Sequence, residues 1–174
     1  MTARGQGPGS GCALGVGLIL CLLGSGSSAQ PAGEADGLDA AARAAVFKAA
    51  GAVQRKGKWV LCVDDPATPG ASIAQVMDLN GDGRPEAVVT EDGTFCHGHA
   101  GTGFKLLSRQ GDGSWRVMTG GSGMPLFLAT RGAGGWPDVV IGGPGFCFPV
   151  ERWNGKTYAL HRFEYEGKRC KPPR

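Results

Sequence analysis

Between Leu38 and Ala50 the chain carries an alanine-rich run. Leu38, Ala42, Ala45, Val46 and Ala49 recur on one face at helical spacing, with Phe47 at its edge. Alanine costs least in a helix, Asp36 or Asp39 can cap the start, and Gly51 is a natural stop. The run predicts one helix over 38–50 whose apolar face packs on a sheet. After Gln54 the pattern changes. Short runs rich in β-branched and aromatic residues are punctuated by glycine, and no second helix is indicated. Strands are expected at 58–63, 73–78, 86–91, 95–98, 104–109 and 114–118, then at 126–130, 138–142, 147–152, 157–163 and 164–166. The segments 87–90 and 139–141 are mostly continuous apolar runs, as in central strands. Asn154-Gly155, between Trp153 and Tyr158, is a hairpin signal.

Four pairs of segments in the β-rich region align. Gly57–Cys62 matches Gly113–Met118, Pro85–Val89 matches Pro137–Ile141, Phe95-Cys96 matches Phe146-Cys147, and Phe104–Arg109 matches Tyr158–Arg162. The offset is roughly 50 residues each time, which marks an internal repeat. The expected fold is mainly β. Two diverged, blade-like repeats, about 57–112 and 113–170, form a compact antiparallel sheet or sandwich with one short N-terminal α-helix. Residues 30–55 are the linker and helix, and 56–174 the two-repeat domain.

Residues 1–29 read as a cleaved signal peptide. Arg4 is the only charge before Glu34, the apolar core 12–23 is short, and Ser27 and Ala29 are the small residues of a cleavage site. A membrane span needs roughly 20 apolar residues, so no span is expected after cleavage, and the location is periplasmic or secreted. The whole chain, with 19% charged and 41% hydrophobic residues, suits one globular domain. The 32 glycines follow no G-X-Y period, which excludes collagen. The net charge of +3 is spread along the chain, so no nucleic-acid partner is indicated.

Export changes the meaning of the cysteines. Cys12 and Cys21 leave with the leader, and Cys62, Cys96, Cys147 and Cys170 remain. An even number in an oxidising compartment suggests two disulfides, and three connectivities are open. The repeat makes Cys96 and Cys147 equivalent, and Cys62 equivalent to Met118. The simplest scheme is then Cys62–Cys96 and Cys147–Cys170. A four-cysteine zinc site is the alternative, but it lacks any C-x-x-C pair.

One segment carries recognisable chemistry. In Asp78-Leu-Asn80-Gly-Asp82-Gly-Arg84-Pro-Glu86, oxygen ligands stand at positions 1, 3, 5 and 9 of a loop. Gly83 permits a sharp turn and the Arg84 carbonyl falls at position 7. This spacing suits a hard cation with six to eight oxygens, calcium before magnesium. An EF-hand would need an acid at position 12, where Val89 stands, and flanking helices. A plain Asp-Gly hairpin turn is the bland alternative. The loop and the apolar strand after it resemble FG-GAP or VCBS repeats, the calcium-loop blades of integrin-type β-propellers. Residues 38–174 as a whole also resemble small exported bacterial proteins of unknown function, on the runs 78–90 and 142–149. The resemblance implies a β fold, an exported location and one structural calcium ion on Asp78, Asn80, Asp82, the Arg84 carbonyl and Glu86. The second copy keeps only Asp138, so no ion is expected there. Two copies are too few to close a propeller, and a monomer is expected.

Other candidates are weaker. His97 and His99 could share a strand face as metal ligands, or be incidental surface residues. The glycine-rich run 142–149 lacks the Lys-Ser/Thr of a P-loop. Trp136, Phe148 and Trp153 form a possible ligand rim, although core positions suit most tryptophans here. The expected function is a non-catalytic binding or interaction module for a protein or glycan. The alternatives are an inhibitor of an envelope hydrolase, with a loop inserted into its partner, or a small extracytoplasmic hydrolase, with His97, His99 and Asp92 converging in a pocket.

Overall fold

The structure is a computed structural model and describes residues 37–172. The expected signal peptide and the start of the linker lie outside the described residues. The protein is mainly β, with three antiparallel sheets and few helices.

The first helix, α1 (Ala40–Ala49), starts where expected. The Asp39 side chain accepts from the Ala42 amide at 2.7 Å, and Gly51 follows the last turn at φ 86°. Phe47 is not at the edge of the packed face but inside it, stacked on Trp59 with ring centroids 5.4 Å apart. Ala45 is exposed instead. A phenyl ring buries far more apolar surface than a methyl group, so the helix turns the ring inward.

The chain then forms a small hairpin, β1 (Val53–Arg55) with β2 (Lys58–Val60). A four-stranded meander follows: β3 (Ala71–Met77), β4 (Glu86–Asp92), β5 (Thr102–Arg109) and β6 (Trp115–Ser122). A five-stranded meander completes it: β7 (Met124–Arg131), β8 (Pro137–Gly142), β9 (Phe148–Trp153), β10 (Tyr158–Tyr165) and β11 (Lys168–Arg169).

Two of the four sequence matches occupy like places. Pro85-Glu86 and Pro137-Asp138 both lead into the second strand of a meander, and Cys96 and Cys147 both follow that strand. The other two do not. Phe104–Arg109 lies in a third strand and Tyr158–Arg162 in a fourth. Lys58–Val60 is in the separate hairpin, while Trp115 begins the fourth strand of the first meander. The break between the meanders falls at Gly123, so residues 115–122 pair with the first sheet. The segment 95–98, expected as a strand, is instead a helical turn, α2 (Thr94–His97), and a 3-10 turn. Gly93, Gly98 and Gly101 all have positive φ and bend the chain out of extended geometry.

The layers stack head to tail. Ala87 and Val89 of β4 face α1, together with Leu107, Leu38 and Phe47. Val88 points the other way and joins Phe104, Leu106, Trp136, Val139, Trp153 and Tyr158 in the core between the meanders. Val139 occupies in β8 the place that Ala87 has in β4. Each meander therefore presents its equivalent face in the same direction. The helix covers that face of the first sheet, and the first sheet covers that face of the second. Among the described residues no element covers the outward face of the second sheet, where Leu126 is 57% exposed.

Candidate functional site

The β3–β4 loop is organised by its own acids. Asp78 accepts from the amides of Gly81 (2.8 Å), Asp82 (3.2 Å) and Gly83 (2.9 Å). Those bonds, Gly83 first, hold its exposed carboxyl below its ordinary range. Asn80 accepts from the Asp82 amide at 3.0 Å and donates to the Asp82 carboxylate at 3.1 Å. Asp82 accepts from the Arg84 amide at 2.8 Å and pairs with the Arg84 guanidinium. Asp78, Asn80 and Asp82 thus gather around one turn, which Gly81 and Gly83 allow at φ 79° each.

Glu86 is not with them. It is 1% exposed and accepts from the Leu79 amide at 2.8 Å and from Ser108 Oγ at 2.9 Å. Burial, reinforced by the charges of Asp82 and Asp78, pushes its carboxyl up; the two hydrogen bonds oppose this. The position-9 ligand of the expected calcium set is therefore an anchor that fastens the loop to β5. Its side chain begins on the strand, where alternation aims it into the core rather than along the loop. The test of fit for a cation is thus partial. Three side chains and the Arg84 carbonyl remain, and Arg84 competes for Asp82. Among the described residues no three His, Cys, Asp or Glu side chains come together as a metal site.

Glu86→Gln separates the two roles. A glutamine can still accept from Leu79 and donate to Ser108, without a buried charge. Its stability near pH 7 is expected to equal or exceed that of the parent, as read by urea denaturation. A raised carboxyl favours folding below its unfolded value and loses that contribution as pH rises through its folded value. The gain should therefore grow from about pH 4 to pH 7. A large loss across that range would restore Glu86 as a residue whose charge is needed.

The second loop sits against the first. Arg131 donates to the Leu79 carbonyl at 2.7 Å, and a Cβ on Gly135 would meet the Asn80 carbonyl at 2.8 Å. The surviving acid, Asp138, is fully buried at the root of this loop. It binds Arg152 through two bonds of 2.7 and 2.8 Å, Arg162 at 2.8 Å and Thr130 at 2.6 Å. Burial alone would raise this carboxyl, but its two arginines outweigh burial and hold it well below the usual carboxylate range.

The aromatic rim is rearranged. Trp136 and Trp153 are buried, 5.9 Å apart, with Tyr158 packed on both. They are core residues because their side of the second sheet faces the first sheet. Phe148 lies on the outward face, where Tyr165 packs at 6.1 Å; Phe146 meets Tyr165 at 6.3 Å. Phe146 is 61% and Tyr165 42% exposed. Leu126, Leu128, Val140, Phe148 and Tyr165 line a groove of about 320 Å3 there. The sequence reading missed Leu126, Phe146 and Tyr165. Phe146 was legible as the aromatic neighbour of a cysteine; Leu126 and Tyr165 carried no signal.

The disulfides are Cys62–Cys96 and Cys147–Cys170, as the repeat suggested. The second ties the C-terminal segment to the β8–β9 connection, beside Phe146 and Phe148. His97 Nδ1 lies 3.3 Å from Ser122 Oγ, its Nε2 is buried without a partner, and no carboxylate orients the ring. No described helix is long and apolar enough to cross a membrane. No family model matches the chain, and neither the curated proteins nor the solved structures gave a match.

Proposed function

We propose that this chain is an exported, non-catalytic binding module whose ligand surface is the outward face of the second sheet. The observation that carries this reading is the head-to-tail stack. One element covers the first sheet, and the equivalent position beyond the second is vacant among the described residues. The exposed residues there, Leu126, Phe146 and Tyr165, are the large side chains that favour contact with a protein or peptide over a glycan. Two disulfides suit a small module working in an oxidising compartment. Export by a cleaved leader and a monomeric state belong to the same proposal.

Peptides selected from a random display library against the oxidised protein test it. Binding should weaken by at least about tenfold in Leu126→Ser/Tyr165→Ser. The thermal midpoint should move little, because both side chains are exposed. Selected peptides that bind this variant as well as the parent would overturn the reading.

The same proposal includes a structural calcium ion on Asp78, Asn80, Asp82 and the Arg84 carbonyl, with water completing the shell. The turn that gathers Asp78, Asn80 and Asp82 at the surface supports it. Calcium at about 100 times its dissociation constant adds about 2.7 kcal/mol, a rise of roughly 5–15 °C in the melt. Chelator should reverse the rise and Asp82→Ala abolish it, while Glu86→Gln should keep it. Equal melts in calcium and chelator would reduce the loop to a hairpin turn.

A further inference from the structure

A cavity of about 380 Å3 opens on the helix side of the first sheet, away from the groove described above. Its lining includes the Cys62–Cys96 disulfide, His97, Lys105 and Ser122. We propose that this cavity binds a small oxyanion, a carboxylate or a phosphate, held by His97 and Lys105, with Ser122 positioning the His97 ring.

The floor of the cavity is built for this arrangement. In the β5–β6 ladder Gly103 pairs with Ser122, and Lys105 with Gly120. A Cβ on Gly103 would stand 2.1–2.6 Å from three atoms of the His97 ring, and one on Gly120 would stand 2.7 Å from Lys105 Cδ. Each basic side chain therefore lies down over a glycine of the neighbouring strand position. Glycine weakens a strand and marks places where something approaches closely. Here it lets two nitrogen-bearing side chains rest on one patch of sheet. The disulfide holds α2, and with it His97, above that patch.

The chemistry of the lining selects the ligand. His97 Nε2 is buried and has no partner, an unusual condition for a polar atom. In the tautomer in which Nδ1 accepts from Ser122 Oγ, Nε2 carries the proton and is a donor. Lys105 supplies an ammonium. No Asp or Glu lines the cavity. Glu91, on the same face of β4, is already committed to the Leu61 and Cys62 amides and the Thr68 hydroxyl. Donors without an acceptor suit an oxyanion, whose bonds to charged donors are strong and short.

Inorganic phosphate and acetate, each titrated against the oxidised protein by NMR with chloride at matched ionic strength, test the proposal. Saturable shifts of the His97 ring and of the Gly103 and Ser122 amides are expected with one or both anions, and none with chloride. The two arms separate a phosphate ligand from a carboxylate. Lys105→Met should weaken binding at least about tenfold while the thermal midpoint holds. Ser122→Ala should weaken it less. Shifts that rise linearly without saturation, that chloride reproduces, or that persist unchanged in Lys105→Met would overturn the proposal and leave water as the partner of Nε2.

Discussion

Replacing all four described cysteines by alanine is expected to lower the unfolding free energy by about 7 kcal/mol. The bridged residues are 34 and 23 positions apart. In the chain-entropy model each loop of that size restricts the unfolded chain by roughly 3.5–4 kcal/mol. A domain has only about 5–15 kcal/mol in total, so the variant should be partly unfolded near 37 °C. Both bridges act on parts that the sheets do not hold. Cys62 and Cys96 join the segment after the first hairpin to the turn after β4. Cys147 and Cys170 retain the end of the chain against the β8–β9 connection. Loss of the first bridge should also release His97 and open the cavity beneath it. Urea denaturation of the oxidised parent, the two paired variants and the fourfold variant measures this. A total loss under about 2 kcal/mol would show that the unfolded chain is already restricted by other means.

Asp138→Ala is expected to cost about 3–5 kcal/mol. The carboxylate is fully buried, and the Arg162 side chain is only 10% exposed. Arg152 is more open at 34%, so solvent compensates it in part and the cost belongs mainly to Arg162. Removing the acid leaves the Arg162 guanidinium among the strands without its buried partner. Arg162 keeps Glu164 as a partner at 2.8 Å, which limits the damage. Asp138→Leu combined with Arg162→Met should recover much of the loss, because an apolar pair needs no compensation. The acid dependence has a definite sign. A carboxyl held below its ordinary value stabilises fully above the unfolded value near pH 4, and that contribution is lost as pH falls through the folded value. The parent should therefore lose stability more steeply than Asp138→Asn below about pH 4. Parallel acid curves for the two proteins would mean that the ion pairs contribute nothing net.

The two buried acids show what the repeat pattern could and could not say. Pro85-Glu86 and Pro137-Asp138 align in sequence, and both lead into central strands. Loop spacing made Glu86 a metal ligand, and the alignment made Asp138 a remnant of one. In the folded chain Glu86 fastens a loop through Leu79 and Ser108, and Asp138 fastens the second sheet through two arginines. Ser108, Arg152 and Arg162 lie on other strands, so no local pattern could have supplied them. The same holds for Trp136 and Trp153, which looked like rim residues beside turns and lie in the core.

Local interactions determined most of what was legible. Alanine spacing and Asp39 specify α1, glycine and Asn-Gly specify turns, and apolar continuity specifies β4 and β8. Cysteine equivalence was enough for the disulfides, because the repeated turns place both cysteines alike. The order in which strands pair was less legible. The fourth strand of the first sheet was read as the start of the second repeat, since a strand carries no mark of its neighbour. Which face of each sheet is covered was not legible at all, because alternation assigns two faces and only packing chooses between them. That choice buried Glu86 and two tryptophans, left Leu126 and Tyr165 in solvent, and laid His97 and Lys105 on glycines from other strand positions. The chain by itself determined the elements and their staples. Tertiary structure decided the surfaces and the cavity, because each depends on residues far apart in sequence meeting on one side of a sheet.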